Sequence, residues 1–84
     1  MKHRTSSQFW ELYEDLPEQI QRLADKNFAL LKTDPYHPSL HFKKIGDMWS
    51  ARVGGHYRAL GFDHDGVVLW FWIGSHAAYD RLVQ

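Results

Sequence analysis

Basic and aromatic side chains recur in the second half of the sequence at spacings that could serve phosphate chemistry. Arg52 and Arg58 flank a pair of glycines, and the last apolar stretch is followed closely by His76 and Tyr79. A guanidinium group can donate two hydrogen bonds at once to a phosphate, and a histidine can give or take a proton near neutral pH. Such groups could cut RNA without a metal ion.

That reaction uses the RNA's own 2′-hydroxyl group, which attacks the neighbouring phosphate. A base takes the hydroxyl proton, an acid protonates the leaving 5′-oxygen, and positive charge stabilises the transition state. DNA lacks the attacking hydroxyl, so the same side chains would select RNA by their chemistry.

Basic residues are concentrated between positions 43 and 58, where Lys43, Lys44, Arg52 and Arg58 face only Asp47. This local excess could meet a phosphate backbone, although a solvated sheet face can carry as many charges. Over the whole chain, ten basic residues balance ten acidic residues, so the net charge favours no class of partner.

The absence of cysteine from the 84 residues excludes disulfides, a thiol nucleophile and a thiolate metal site. We therefore expect a cytoplasmic protein. His37 and His41 are four residues apart, but Pro38 lies between them and no carboxylate has a matching spacing, so we expect neither a metal ion nor another cofactor. The longest apolar run, residues 67–74, is too short to cross a membrane as a helix.

The hydrophobic spacing predicts the elements that must position these side chains. Residues 2–5 are expected to form a short edge strand, and Thr5 with Gln8 fits a capping box at a helix start. Apolar residues at positions 9, 12, 13 and 16 recur at helical spacing. Pro17 suits the first turn of a second helix, which ends before Pro35. Two successive helices predict a helical hairpin.

The period then changes to two, after a predicted loop over residues 35–47. Strands are predicted at Met48–Val53, Tyr57–Phe62 and Val67–Ile73, with glycine-containing turns between them. Helices followed by a three-stranded antiparallel meander predict a single α+β domain over residues 1–84, with the helices on one face of the sheet.

The length of the first strand-to-strand loop decides which side chains share a face. A three-residue loop, Gly54 to His56, places Arg52 opposite Arg58, with both pointing away from the helices. A two-residue loop would bury Arg58 without a partner, which is costly. We therefore predict the three-residue loop.

The same alternation along the last strand divides its large side chains between the two faces. It predicts that Leu69, Phe71 and Ile73 face the core and that Trp70 and Trp72 lie on the face of the arginines. The two tryptophans would then form an exposed aromatic surface.

The segment after the last strand is predicted to begin a short C-terminal helix. If Ser75 caps this helix, His76 is its first residue and Tyr79 lies on the same side three positions later. A helix start presents free N–H groups and partial positive charge, which favour a bound phosphate. Tyr79 could also stack on an unpaired base.

Two segments of the sequence resemble the RelE/ParE superfamily of bacterial type II toxin–antitoxin toxins. They are HFKKIGDMWSARVGGHYRALGF, residues 41–62, and WFWIGSHAAYDRLV, residues 70–83. The shared features are a lysine-containing segment, an aromatic residue followed by basic residues on a strand, then R-V-G and Y-R, and finally an apolar strand ending in Gly-x-basic. The order of strand, helical hairpin and meander is also similar, so the resemblance spans nearly the whole chain.

The resemblance implies a toxin of the RelE-like branch, an endoribonuclease that cuts messenger RNA on the bacterial ribosome and thereby inhibits translation. A small antitoxin would neutralise it. The position of His76 matches a catalytic basic residue, and Tyr79 matches a tyrosine near the reacting nucleotide. We expect Trp70 and Trp72 to fill a groove that accepts an antitoxin segment, or to pack under the terminal helix, in preference to stacking on a base. The residues that match phosphate contacts are Lys43, Lys44, Arg52 and Arg58.

The chain differs from many relatives in three respects. His76 replaces an arginine found in several of them, no long basic tail follows Tyr79, and the net charge is zero where many RelE-like toxins are basic. The ParE-like branch shares the fold but inhibits DNA gyrase, so the fold alone does not choose between the branches. The remaining hypotheses are a catalytically weak homologue that binds an antitoxin and an unrelated α+β module whose aromatic patch forms a dimer interface.

Overall fold

The first half of the chain forms a short strand and two helices. The computed structural model describes residues 1–83 and contains β1 (Lys2–Thr5), α1 (Ser7–Glu14) and α2 (Glu18–Thr33). The predicted edge strand and helical hairpin are therefore confirmed. The predicted cap of α1 is displaced by one residue, because Ser6 Oγ accepts the hydrogen bond from the Phe9 N–H at 3.2 Å.

The second half forms most of the sheet. A 3₁₀ turn (Pro38–Leu40) leads to β2 (Lys43–Ile45), β3 (Met48–Val53), β4 (Tyr57–His64), β5 (Val67–Ser75) and α3 (His76–Val83). The strand order is β1-β5-β4-β3-β2, with β1 parallel to β5 and the other neighbours antiparallel. The α+β class, the N-terminal strand, the three long strands and the C-terminal helix agree with the prediction.

The predicted loop over residues 35–47 contains a strand that the sequence did not reveal. Ile45 pairs with Met48 and Lys43 with Ser50, so β2 and β3 form a hairpin. Its tight turn is possible because Gly46 adopts φ +59°, a conformation that glycine accepts without steric cost. A three-residue strand is too short to show a clear alternation, which explains why the loop prediction was wrong there.

The core lies between the two helices and one face of the sheet. In the β3–β4 hairpin, Val53 is opposite Tyr57 and Arg52 is opposite Arg58, so the predicted three-residue loop is confirmed. Alternate residues of these strands therefore point toward the helices, and Arg52 and Arg58 lie on the opposite face of the sheet, called the arginine face below. The buried cluster includes Phe9, Ala24, Leu31, Ala51, Val53, Ala59 and Ile73.

A β-bulge in β5 changes which of its side chains meet the helices. Leu60 pairs with Trp72 and Gly61 with Trp70, which leaves Phe71 without a partner across the ladder. Trp70 consequently packs in the core and is only 2% exposed. The prediction that Trp70 lies on the arginine face is wrong, whereas Trp72 does pair on that face.

The bulge also reverses the prediction for Leu69 and Phe71. Leu69 is opposite the exposed Phe62 and is itself 38% exposed, and Phe71 stacks on Phe62 with ring centroids 4.4 Å apart. Only Ile73, beyond the bulge, faces the core as predicted. An unbroken alternation fails here because the extra residue shifts its phase.

The face opposite α1 and α2 has a packing layer of its own. Leu60 and Tyr79 are buried but stand outside the main core cluster, and α3 contacts both β4 and β5. The C-terminal helix therefore covers part of the arginine face.

No helix within residues 1–83 is long and apolar enough to span a membrane.

Candidate functional site

Arg58 is held on the arginine face by β4 and by an aromatic ring from α3. Gly74 lies opposite it on β5 and contributes no side chain. The Arg58 Cζ atom lies 5.1 Å from the centroid of the Tyr79 ring, which is a cation–π contact. Because Tyr79 is buried, its ring is a fixed support for the guanidinium group.

His76 is placed beside this pair by the start of α3. Ser75 Oγ accepts a hydrogen bond from the Ala78 N–H at 3.1 Å, so the predicted cap is confirmed. The His76 N–H donates to the His56 carbonyl at 2.7 Å and ties the helix start to the β3–β4 loop. The imidazole centroid lies 5.9 Å from that of Tyr79. The structure thus brings the predicted Arg58, His76 and Tyr79 together, with the Tyr79 ring in contact with both of the others.

Asp80 is a member of the site that sequence reasoning missed. Its Oδ1 atom lies 3.5 Å from His76 Nδ1, and both side chains are about half exposed. The signal was present, because residues four apart on a helix share a side. Asp80 therefore lies against Nδ1 rather than Nε2 and can hold the ring in this orientation.

Two polar atoms on the arginine face are buried without a hydrogen-bond partner among residues 1–83. They are Arg58 Nη1 and Ser50 Oγ. A buried donor that makes no hydrogen bond costs about 1–3 kcal/mol, and more when it carries charge. An anion cannot reach this covered nitrogen, but Arg58 as a whole is only partly buried, so the residue can still present its positive charge to a negatively charged ligand.

The other predicted arginine does not join this group. Arg52 lies opposite Arg58 on the neighbouring strand, but its Nε donates to the Gly54 carbonyl at 2.9 Å. Its Nη1 lies 3.5 Å from His41 Nε2. Residues 51–53 of β3 have no partner from β2, and the Arg52 side chain passes this free edge toward α2, away from Tyr79.

The two predicted lysines lie on different faces of the sheet. Lys43 pairs with Ser50 on the arginine face, whereas Lys44 pairs with Trp49 on the helix face. Lys44 Nζ lies 3.0 Å from Asp63 Oδ2, and this lysine lowers the pKa of the Asp63 carboxyl group. Only Lys43 is placed on the side of Arg58. Within residues 1–83, no three histidine or carboxylate side chains are grouped as metal ligands.

The two predicted tryptophans are likewise separated. Trp72 packs against Gly74, because a Cβ atom there would lie only 2.6 Å from its ring. Trp70 instead donates from its indole N–H to His3 Nδ1 at 3.1 Å, inside a pocket that includes Phe28 and Phe42. Trp72 is thus next to the site, whereas Trp70 presents no surface to a partner.

Comparison with known proteins finds the fold but no sequence relative. No family model matches the chain, and no curated protein matches it significantly. Solved structures do match over nearly its full length. A chain of the RelB–RelE antitoxin–toxin complex from Methanococcus jannaschii superposes with a TM-score of 0.73 at 13% identity, covering 96% of this chain and 99% of that one.

Two further structures extend this likeness. The isolated E. coli RelE toxin gives a TM-score of 0.63 at 11% identity, covering 96% of this chain and 94% of that one. The RelBE2 toxin–antitoxin complex from Mycobacterium tuberculosis gives 0.67 at 21% identity, covering 90% and 91%. The chain has the fold of RelE-like toxins, as the sequence resemblance indicates.

Proposed function

We propose that the chain is the toxin of a type II toxin–antitoxin pair and that it cleaves messenger RNA bound to the ribosome. The observation that carries this proposal is the partly exposed Arg58, supported on Tyr79 with the imidazole of His76 at the same ring. A fixed cation beside a proton carrier is the pair of groups that phosphodiester cleavage needs. The RelE-like fold supports the same conclusion by analogy.

In the proposed reaction, the 2′-oxygen of one nucleotide attacks the adjacent phosphorus and the bond from phosphorus to the 5′-oxygen breaks. The products are a 2′,3′-cyclic phosphate and a free 5′-hydroxyl group. Arg58 would donate to the non-bridging oxygens, whose negative charge grows in the transition state. His76 would transfer a proton through Nε2, as the base for the 2′-hydroxyl or as the acid for the leaving oxygen.

The surrounding residues would have supporting roles. Asp80 would orient His76, and Lys43, exposed on the same face, would hold the RNA backbone. Tyr79 is 5% exposed, so we assign it the support of Arg58 rather than stacking on a base. Trp72 is the aromatic side chain of β5 nearest to the site and is the better candidate for a base contact.

The proposed partners are an antitoxin, the ribosome and messenger RNA, in the bacterial cytoplasm. Structures of the same fold are described as antitoxin–toxin complexes, which supports an antitoxin partner here. The ribosome would supply affinity that a chain with a net charge of zero does not have for free RNA.

The test is to map messenger RNA ends in a translating extract with the wild type, Arg58→Ala and His76→Ala. Arg22→Ala, which removes an exposed ion pair on α2 far from the site, is the control. We expect new ends at ribosome-bound codons with the wild type and the control, and none with the two site variants. Intact message together with blocked DNA supercoiling would instead support a gyrase inhibitor.

A further inference from the structure

A groove of about 520 Å³ lies between α2 and the end of β3, away from Tyr79. Its wall on one side is α2, and on the other the 3₁₀ turn and the end of β3. The β3–β4 loop packs closely against this helix, since a Cβ atom on Gly54 would lie 2.6 Å from Leu23 Cδ2. The residues lining the groove are Leu23, Lys26, Asn27, Leu30, His37, Ser39, Arg52 and Gly54.

The charge of this groove has one sign. Lys26, Arg52 and His37 line it, and none of the lining residues is acidic. Neither Lys26 nor Arg52 takes part in an ion pair among residues 1–83. Arg52 is nevertheless fixed, because its Nε is bonded to the Gly54 carbonyl and its Nη1 approaches His41. A fixed guanidinium group keeps its remaining donors directed at a ligand without a further loss of side-chain freedom.

The rest of the lining combines two leucines with the polar Asn27 and Ser39, and it contains no phenylalanine, tyrosine or tryptophan. Leu23 and Leu30 lie on the side of α2 that faces the groove, whereas single-stranded nucleic acid is usually bound on aromatic side chains that stack with the bases. Leucine side chains beside fixed cations instead complement a peptide that carries both apolar and acidic residues. The volume is within the range that binds a few side chains.

We propose that this groove docks a segment of a partner protein in which a carboxylate lies between apolar side chains. The carboxylate pairs with Arg52 and Lys26, and the apolar side chains pack on Leu23 and Leu30. Arg58, His76 and Tyr79 do not line this groove, so the docking surface does not depend on the proposed nuclease activity.

The test uses ¹⁵N-labelled protein and two-dimensional NMR with three probes. They are the capped peptide Leu-Glu-Leu-Glu-Leu, the same peptide with glutamine in place of glutamate, and a five-nucleotide oligouridylate. We expect the glutamate peptide to shift the amide resonances of the groove residues in a saturable way that weakens with added salt. The glutamine peptide and the oligouridylate should leave those resonances in place.

Charge reversal on α2 supplies the matched variants. Lys26 and Lys32 are both exposed on this helix, but only Lys26 lines the groove. Lys26→Glu should weaken binding of the glutamate peptide by about fivefold or more, because it replaces an attraction with a repulsion. Lys32→Glu should bind it as the wild type does. The dispersion of each NMR spectrum verifies that the variant is folded.

Three results would overturn the proposal. They are no response of the groove to the glutamate peptide, an equal loss of binding in both lysine variants, or groove shifts with the oligouridylate alone. The last result would assign the groove to nucleic acid. Messenger RNA cleavage is not measured in this experiment, so a failure here leaves the proposed nuclease function untouched, and the reverse also holds.

Discussion

Arg58 and His76 both lie against the ring of Tyr79. The ring carries the guanidinium group on its face and has the imidazole close by. One guanidinium nitrogen is buried without a hydrogen-bond partner among residues 1–83, which lowers the stability of the fold. Residues at functional sites often lower the stability of a fold in this way, so the site variants should affect activity much more than stability.

The first prediction concerns the geometry of the cation. Arg58→Ala should lower the cleavage rate by about 100-fold or more, as the loss of an oxyanion donor does in other enzymes. Arg58→Lys should recover only a small part of that rate, because an ammonium group keeps the charge but cannot donate as a planar fork. Cleavage rates on programmed ribosomes measure this, and thermal unfolding controls for the fold. Full activity in Arg58→Lys would contradict the proposed role.

A second prediction concerns Asp80, which we expect to act only through His76. His76→Ala should lower the rate by about 10²–10⁴-fold, and Asp80→Asn should lower it less. In the His76→Ala background, Asp80→Asn should have no further effect, because the group it orients is already gone. The measurement is a double-mutant cycle of cleavage rates. Fully additive effects would show that Asp80 has a separate function.

A third prediction concerns stability and His3. Burial, the N-terminal amine and Lys32 lower the pKa of this imidazole below its ordinary value of 6.5. The folded state therefore favours neutral His3, which accepts the Trp70 indole N–H at Nδ1. Its stabilising contribution is complete above pH 6.5 and is lost as the pH falls through the folded-state pKa.

The variant that tests this is His3→Gln, which does not titrate. Urea unfolding between pH 7.5 and about 5 should show a steeper loss of stability for the wild type than for His3→Gln, and the five other histidines are common to both proteins. Parallel curves would mean that neutral His3 is not what the folded state requires.

The sequence predicted the chemical properties of the site residues better than it predicted their contacts with distant elements. The hydrogen-bonding and acid–base properties of Arg58 and His76 follow from the residue types, and the cap at Ser75 follows from a local pattern. The burial of Arg58 Nη1 and the direction of the Arg52 guanidinium depend on elements that are distant in sequence. Spacing alone does not contain that information.

Among the elements, β5 is the strand whose core-facing side chains could not be predicted from the sequence. Charge fixed the register of the β3–β4 hairpin, because one of the two alternatives would bury Arg58. The stretch 67–74 offers no such constraint, since large apolar side chains occupy both of its faces. Packing between distant residues stabilises the bulge at Phe71, because it places Trp70 against His3 and opposite Gly61.

A fourth prediction follows from that packing. A Cβ atom on Gly61 would lie 2.6 Å from Val68 Cγ1 and 3.1 Å from Trp70 Cδ2. Gly61→Ala should therefore destabilise the fold by about 1–3 kcal/mol, the usual cost of overpacking. Gly55→Ala is the matched control, because a Cβ atom there meets nothing within 4 Å and its φ is not positive.

Thermal or urea unfolding of the two glycine variants measures the difference. The control should stay within about 0.5 kcal/mol of the wild type. If Gly61→Ala were as stable as Gly55→Ala, the close approach of β4 and β5 at the bulge would be in error.

At the scale of the whole molecule, the order of elements determined the fold more reliably than any motif did. A short strand, a helical hairpin and an antiparallel meander were predicted, and structures with only 11–21% identity share that arrangement. Such low identity means that few individual residues specify the fold. It also means that function must be tested on the residues of this chain.

Net charge leads to the fifth prediction. Because ten basic and ten acidic residues cancel, the isolated protein should bind single-stranded RNA weakly and with a shallow salt dependence. Fluorescence anisotropy with a labelled oligonucleotide at increasing salt measures both. Tight, steeply salt-dependent binding would contradict the proposed need for the ribosome.

The central claim is that the RNA's own 2′-hydroxyl is the nucleophile and that the protein supplies Arg58 and His76. The most direct measurement uses ribosomes programmed with two short messenger RNAs, one of them carrying a single 2′-deoxynucleotide on the 5′ side of the cleaved bond. We predict cleavage of the all-ribose message, with a cyclic phosphate and a 5′-hydroxyl as its new ends, and no cleavage of the substituted message. Cleavage of the deoxy-substituted message, or an intact all-ribose message, would contradict this account.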